Sequence, residues 1–356
     1  MTRTSRSTRI VVVTAAVVGL LATACTSSDK KSTPSGTATA GLPSTSASSS
    51  TTPSSTAAPK PELKVNPFTG IGPVPKYPTV AVKIDDTAPG RPQVGIDRAD
   101  IVYIEEVEGG LTRLAAIFGT NHPSQVGYVR STRPSDPDLL LQYGKIVEAY
   151  SGGAHDSLPR VRASGITSWS NDAGAPYYSR VSRAASSYIN LVLNVKQVGH
   201  HAKTPRPKDI GLRWDVKAPG PGHAGKHVTT YVGGTLVDFR WNPQIKRYVR
   251  YIDGVAQHAA DGKLIATPNV VVQTCKIVAH PEDTDVLGNP SQFTTTTGKG
   301  KVIVFRNGRS FAGSWSRPNL SSGTKLTLAS NGKSLPLTPG GAWFALVRST
   351  ARTSGK

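Results

Sequence analysis

Two dipeptides in the last third of the chain constrain its fold more than any other feature. Asn307-Gly308 and Asn331-Gly332 interrupt the runs "KVIVFRNGRSFAGSW" and "KLTLASNGKSLPL", in which apolar and polar residues alternate. A type I′ turn needs positive φ at both central positions, which Asn and Gly adopt at little steric cost, and its twist suits paired antiparallel strands. The runs "DFRWNPQIKRYVRYIDG", "NVVVQTCKIVA" and "AWFALV" continue the strand pattern, so 227–350 reads as a mainly antiparallel β domain.

The preceding region, 63–203, reads as a mixed α/β domain. A buried strand is expected over Thr79–Ile84 and a helical turn near Asp97, followed by two strands joined at Gly109-Gly110 and a third strand over Val126–Arg130. "SDPDLLLQYG" predicts a helix capped by Ser135 with Pro137 in its first turn; a second is expected from Ser157. The class is therefore α+β. Between the two domains, 204–226 is rich in Pro, Gly, Lys and His and reads as an interdomain linker.

The first 62 residues do not belong to either domain. Arg3, Arg6 and Arg9 precede an apolar stretch, Ile10 to Leu21, that ends in "ATAC". This is the pattern of a secretory signal, too short for the roughly 20 apolar residues of a membrane span. It resembles a bacterial lipobox, which makes Cys25 the expected acylation site and 1–25 the signal peptide. The ordinary cleaved signal is the alternative. Residues 26–62 are nearly all Ser, Thr, Ala, Pro and Lys, too poor in apolar surface to fold, and read as a tether. The expected location is the extracytoplasmic face of the cell membrane, held there by lipid.

Forty-two basic residues against 22 acidic ones give a net charge of +20. An exported, tethered protein with that charge meets anionic wall polymers and lipid headgroups before nucleic acid, and no interleaving of aromatic and basic residues argues for nucleic acid. A basic surface with no dedicated ligand is the plain alternative. Beyond Cys25, only Cys275 remains, in a strand-like apolar run where a thiol serves as core filler. No cofactor motif is present. His223 and His227 have metal-ligand spacing but lie beside "PGPG" in an expected loop, so no metal is expected.

The strings "VAVKIDDTAPGRPQVGIDRADIVYIEEVEGGLTRLAAIF", "VGYVRSTRPSD", "GKGKVIVFRNGRSFAGSWSRP" and "LPLTPGGAWFALV" resemble the YerB-like lipoproteins, a two-domain bacterial family of unknown function. The resemblance implies an exported, lipid-anchored protein with a mixed first domain and a β-rich second one, and supplies no reaction.

"EEVEGGLTR", Glu105 to Arg113, concentrates charge in the first domain. With Gly109-Gly110 as a two-residue turn, Glu106 falls opposite Arg113 and shares a face with Glu108, while Glu105 points away. One reading is a cross-strand ion pair and nothing more. The other adds Arg91, Arg130 and Arg133, two helix N-termini and His155 to make a cleft for a carboxylate or phosphate. A wall hydrolase or transferase using Asp85, Glu106 or Glu108 as acid and base is the rival reading. His155-Asp156-Ser157 holds triad letters, but consecutive side chains do not converge, and "SNGK" at Ser330–Lys333 spans an expected turn. The binding or scaffolding reading is preferred; protein partners and oligomeric state are not legible.

Overall fold

The structure is a computed structural model that describes residues 63–183 and 186–356. The signal segment 1–25 with Cys25, and the tether 26–62, lie outside the described residues. All the described residues belong to one compact unit.

Strands account for 41% of the described residues and helices for 11%, so the α+β label fits only loosely and the protein is mainly β. The body is a twelve-stranded sheet to which both halves of the sequence contribute. From one side it runs Lys325–Leu328, Arg309–Arg317, Gly298–Arg306, Asn269–Thr284 and Ala342–Arg348. It continues through β2 (Ile101–Glu106), β3 (Thr112–Phe118) and β1 (Val80–Asp85), then Val147–Tyr150 and Thr167–Ser170. The strand Ala342–Arg348 is parallel to both neighbours, Ile101 opposite Ala342 on one side and Val270 opposite Trp343 on the other. The second half is thus not purely antiparallel. Parallel strands are buried on both faces and read as unbroken apolar runs, as "AWFALV" and "DIVYI" do.

A six-stranded sheet, centred on the antiparallel strands His227–Val232, Thr235–Asn242 and Arg247–Ile252, covers one face. Its Val228, Val237, Phe239 and Tyr248 share a core with Ile104, Leu114, Val272 and Trp343. Against the opposite face pack α1 (Asp136–Leu140) and Tyr143, with Ile210 and Leu212 from the expected linker. That segment does connect the halves, but it is docked: the Trp214 indole donates to the Pro67 carbonyl, and Arg306 donates to the carbonyls of Asp215 and Val216.

The Asn307-Gly308 turn forms as expected, with φ of +52° and +70° and Arg306 opposite Arg309. At Asn331-Gly332 only the glycine has positive φ, because the chain leaves the strand earlier and closes a longer loop from Leu328 to Lys333. The strand expected over Val126–Arg130 is regular only at Val126–Gly127. Ser135 makes no side-chain cap on α1; the Asp136 carboxylate instead accepts from the Arg133 amide at 2.7 Å. The second helix, α2 (Ser157–Ser164), starts where expected.

Candidate functional site

Alternation along β1, β2 and β3 sorts their charged residues onto two faces. Asp85 lies opposite Arg113, and Arg113 opposite Glu105, so these three form one row across the sheet end. Lys83, Ala115 and Tyr103 form the next row on the same face. Asp86, Thr112 and Glu106 fall on the other face.

The turn between β2 and β3 sets this sorting and differs from the expected one. Val107 donates to the Leu111 carbonyl and Leu111 to the Glu108 carbonyl, while Gly109 and Gly110 both take positive φ. The loop is longer than two residues, the register moves by one, and Glu106 pairs with Thr112 rather than Arg113. A contact from the other half holds the loop there: the Gly234 amide donates to the Gly110 carbonyl at 2.8 Å, and a Cβ at Gly233 would meet that oxygen at 2.7 Å.

Three of the four expected arginines meet. Arg113, Arg130 and Arg133 line one cavity of about 490 Å³ with Glu108, Gly153 and Ala154. Asp85 lies beneath it, fully buried, its Oδ1 accepting from the Thr87 amide at 2.6 Å and the Thr87 hydroxyl at 2.5 Å. Gly90 must be glycine to leave room for this carboxylate, since a Cβ there would lie 2.5 Å from Oδ1. Arg130 Nε stands 3.1 Å from Asp85 Oδ2 without hydrogen-bond alignment. Arg133 donates from Nη2 to Glu108 Oε2 at 2.6 Å and from Nη1 to the Thr132 carbonyl. Ser291 donates to the other Glu108 oxygen. Burial pushes the Glu108 carboxyl up, but Arg133 and Ser291 outweigh it and hold it below the usual range.

Arg113 is the exception. It is 6% exposed, its nearest carboxylate oxygen is Asp85 Oδ2 at 3.9 Å, and neither Nε nor Nη1 has a hydrogen-bond partner. Burial, only partly offset by Asp85, pulls its pKa down to about 10, so it stays charged at neutral pH.

Below this floor lies a buried network that the sequence reading did not find. Lys83 Nζ donates to Glu105 and, at 2.6 Å, to Asp136 Oδ1. Thr132 donates to Glu148 at 2.6 Å. One ammonium faces three carboxylates; burial first, and the Asp136 charge second, push Glu105 and Glu148 up to about 8. Through Asp136 the network fixes the turn that presents Arg133. The available signal was Lys83 itself, a charge inside the apolar run "VAVKID".

The remaining expected residues lie elsewhere. Glu106 is gripped by Arg348, Nε to Oε2 at 2.8 Å and Nη2 to Oε1 at 2.7 Å. Arg91 donates to the carbonyls of Thr87 and Asp86, away from the cavity lining. His155 is exposed and outside that lining. Its neighbours serve α2: Asp156 pairs with His280, and the Ser157 amide is capped by Asp283 from the other half, which fills the second expected helix N-terminus. The Cys275 thiol is 4% exposed and burial pushes its pKa up to about 12. No group of His, Cys, Asp and Glu among the described residues is arranged to hold a metal.

The two halves of the sequence match the two parts of one family. Residues 68–208 match the "Protein of unknown function (DUF3048) N-terminal domain" and 227–344 its C-terminal domain, and the chain belongs to that family. Among its relatives is the Bacillus subtilis (strain 168) protein named "Putative lipoprotein YerB", 26% identical over 283 residues that span 75% of this chain and 80% of the relative. The crystal structure of the YerB protein from Bacillus subtilis shares the fold, with a TM-score of 0.66 at 22% identity over 82% of this chain and 99% of that one.

Proposed function

We propose that this protein is a lipid-anchored lipoprotein of the extracytoplasmic face of the cell membrane, and that its folded body binds an anionic envelope ligand through Arg113, Arg130 and Arg133. The location rests on the signal segment ending at Cys25 and on the lipoprotein name of the Bacillus relative. The binding role rests on Arg113, a buried guanidinium with two donor nitrogens unpaired at the wall of a cavity. Leaving a buried polar group unpaired costs about 1–3 kcal/mol, more when it is charged. A fold that tolerates this cost at a cavity wall supports a ligand that supplies the acceptor. The cavity volume lies within the roughly 300–1,000 Å³ of small-ligand sites.

The hydrolase reading asks for carboxylates free to meet a substrate. Glu106 and Glu108 are each held by arginine, and Asp85 is fully buried and bonded to Thr87 with Arg130 beside it, which supports binding instead. Titration calorimetry of residues 60–356 with inorganic phosphate and glycerol phosphate tests the proposal. The expected result is saturable binding that an Arg130→Ala, Arg133→Ala double variant loses while retaining its circular dichroism. Absence of saturable binding by the unaltered protein would refute it.

A further inference from the structure

The cavity that carries the three arginines has an apolar rim. Leu111 is 49% exposed on one side; across from it Leu287 is 82% exposed and Val286 fully exposed, both on the same lining. These two aliphatic residues sit at the tip of the hairpin joining Asn269–Thr284 to Pro290–Thr295, and that tip is a built turn. The Asp285 carboxylate accepts from the amides of Leu287 and Asn289, both at 2.9 Å, and Gly288 donates to the Asp285 carbonyl at 3.0 Å. An exposed turn ordinarily carries small polar residues. Here a hydrogen-bonded scaffold holds large apolar side chains out in water, beside a guanidinium-lined floor.

The local charge narrows the ligand further. Three arginines face Glu108 and Asp285 across the lining, and Asp85 lies underneath, so the site has little net field despite the basic surface of the whole chain. A long polyanion gains little from such a site, because its attraction depends on many charges at once. A single phosphate gains from the unpaired donors on Arg113 and from the charges of Arg130 and Arg133, whose Nε atoms also lack a hydrogen-bond partner.

We infer that the ligand is a lipid phosphate, with its headgroup on Arg113, Arg130 and Arg133 and the first part of its hydrocarbon against Leu111, Val286 and Leu287. This rests on the anionic-ligand reading above and adds the apolar half of the ligand. An amphiphile uses both surfaces together: the phosphate fills unpaired donors, and the chain removes exposed aliphatic area from water.

The test compares three probes on residues 60–356 by titration calorimetry: glycerol phosphate, dihexanoyl phosphatidic acid below its micellar concentration, and dihexanoyl phosphatidylcholine. The expected order places phosphatidic acid about tenfold tighter than glycerol phosphate, the effect of burying about two methylenes, with phosphatidylcholine weakest. In V286S/L287S the ratio of phosphatidic acid to glycerol phosphate affinity falls to about one. Equal affinity for these two probes in the unaltered protein overturns the lipid inference while leaving an anion site. Failure to bind either of them overturns the anion site as well. Recruitment to vesicles containing phosphatidic acid that V286S/L287S leaves unchanged also overturns the lipid inference, because charge alone then explains it.

Discussion

Arg113 stands in the middle of a row of charges, between Asp85 and Glu105, yet neither neighbour satisfies it: Glu105 is taken by Lys83, and Asp85 by Thr87 with Arg130 beside it. A side chain serving stability alone would be worth removing, since burial costs Arg113 more than Asp85 returns, and Asp85 keeps Thr87 and Arg130 when Arg113 is replaced. Arg113→Met is therefore expected to be as stable as the unaltered protein or more so, by up to about 2 kcal/mol in urea unfolding. A loss of more than about 1 kcal/mol would show that the guanidinium supports the fold. The grouping of Arg113, Arg130, Arg133 and Glu108 was legible in the sequence because all four lie at the ends of adjacent elements. The place of Glu106 was not, because a one-residue change of register moves a side chain through the sheet, and a contact from Gly234, far away in the chain, selects the register; nor was that of Arg91, whose side chain folds back onto the carbonyls of Thr87 and Asp86.

At the scale of elements, β1, β2, the start of α1 and the strand Val147–Tyr150 are joined by the Lys83, Glu105, Asp136 and Glu148 network. Glu105 and Glu148 have folded pKa values near 8, above their usual value, because burial and the Asp136 charge disfavour their ionised forms. The unfolded chain releases these protons first as pH rises, so their contribution to stability is full below about pH 4.5 and is lost as pH climbs toward about 8. Glu148→Gln is expected to reduce that loss, seen as a shallower fall of the urea midpoint between about pH 5 and 8. An unchanged slope would place the retained proton elsewhere. The strands themselves were readable from apolar periodicity: β1 falls within one residue of the expected Thr79–Ile84, and α2 starts at the expected Ser157. The network was not, since its members come from four separate elements and only Lys83 breaks a local pattern.

The whole molecule is where the sequence misleads most. Composition changes sharply at 204–226, and family matches stop and restart around it, yet the strand Ala342–Arg348 lies between β2 and Asn269–Thr284 in one sheet. Glu106 and Arg348, 242 residues apart, are clamped side by side at its end. Such a parallel pairing across the chain leaves no local mark, whereas the Asn307-Gly308 hairpin does, because its turn chemistry is contained in two residues. The expected consequence is a single cooperative thermal transition for residues 60–356 by calorimetry, with neither 63–203 nor 227–356 folding when expressed alone. Two separable transitions, or a folded half, would contradict a shared core.

The central claim is that Arg113, with Arg130 and Arg133, completes its hydrogen bonds with a ligand phosphate. A crystal structure of residues 60–356 grown with dihexanoyl phosphatidic acid examines it most directly. The account predicts phosphate oxygens within about 2.7–3.2 Å of the Arg113 guanidinium, in the cavity shared with Arg130 and Arg133. A phosphate bound only at another surface, with this cavity holding water alone, would contradict it.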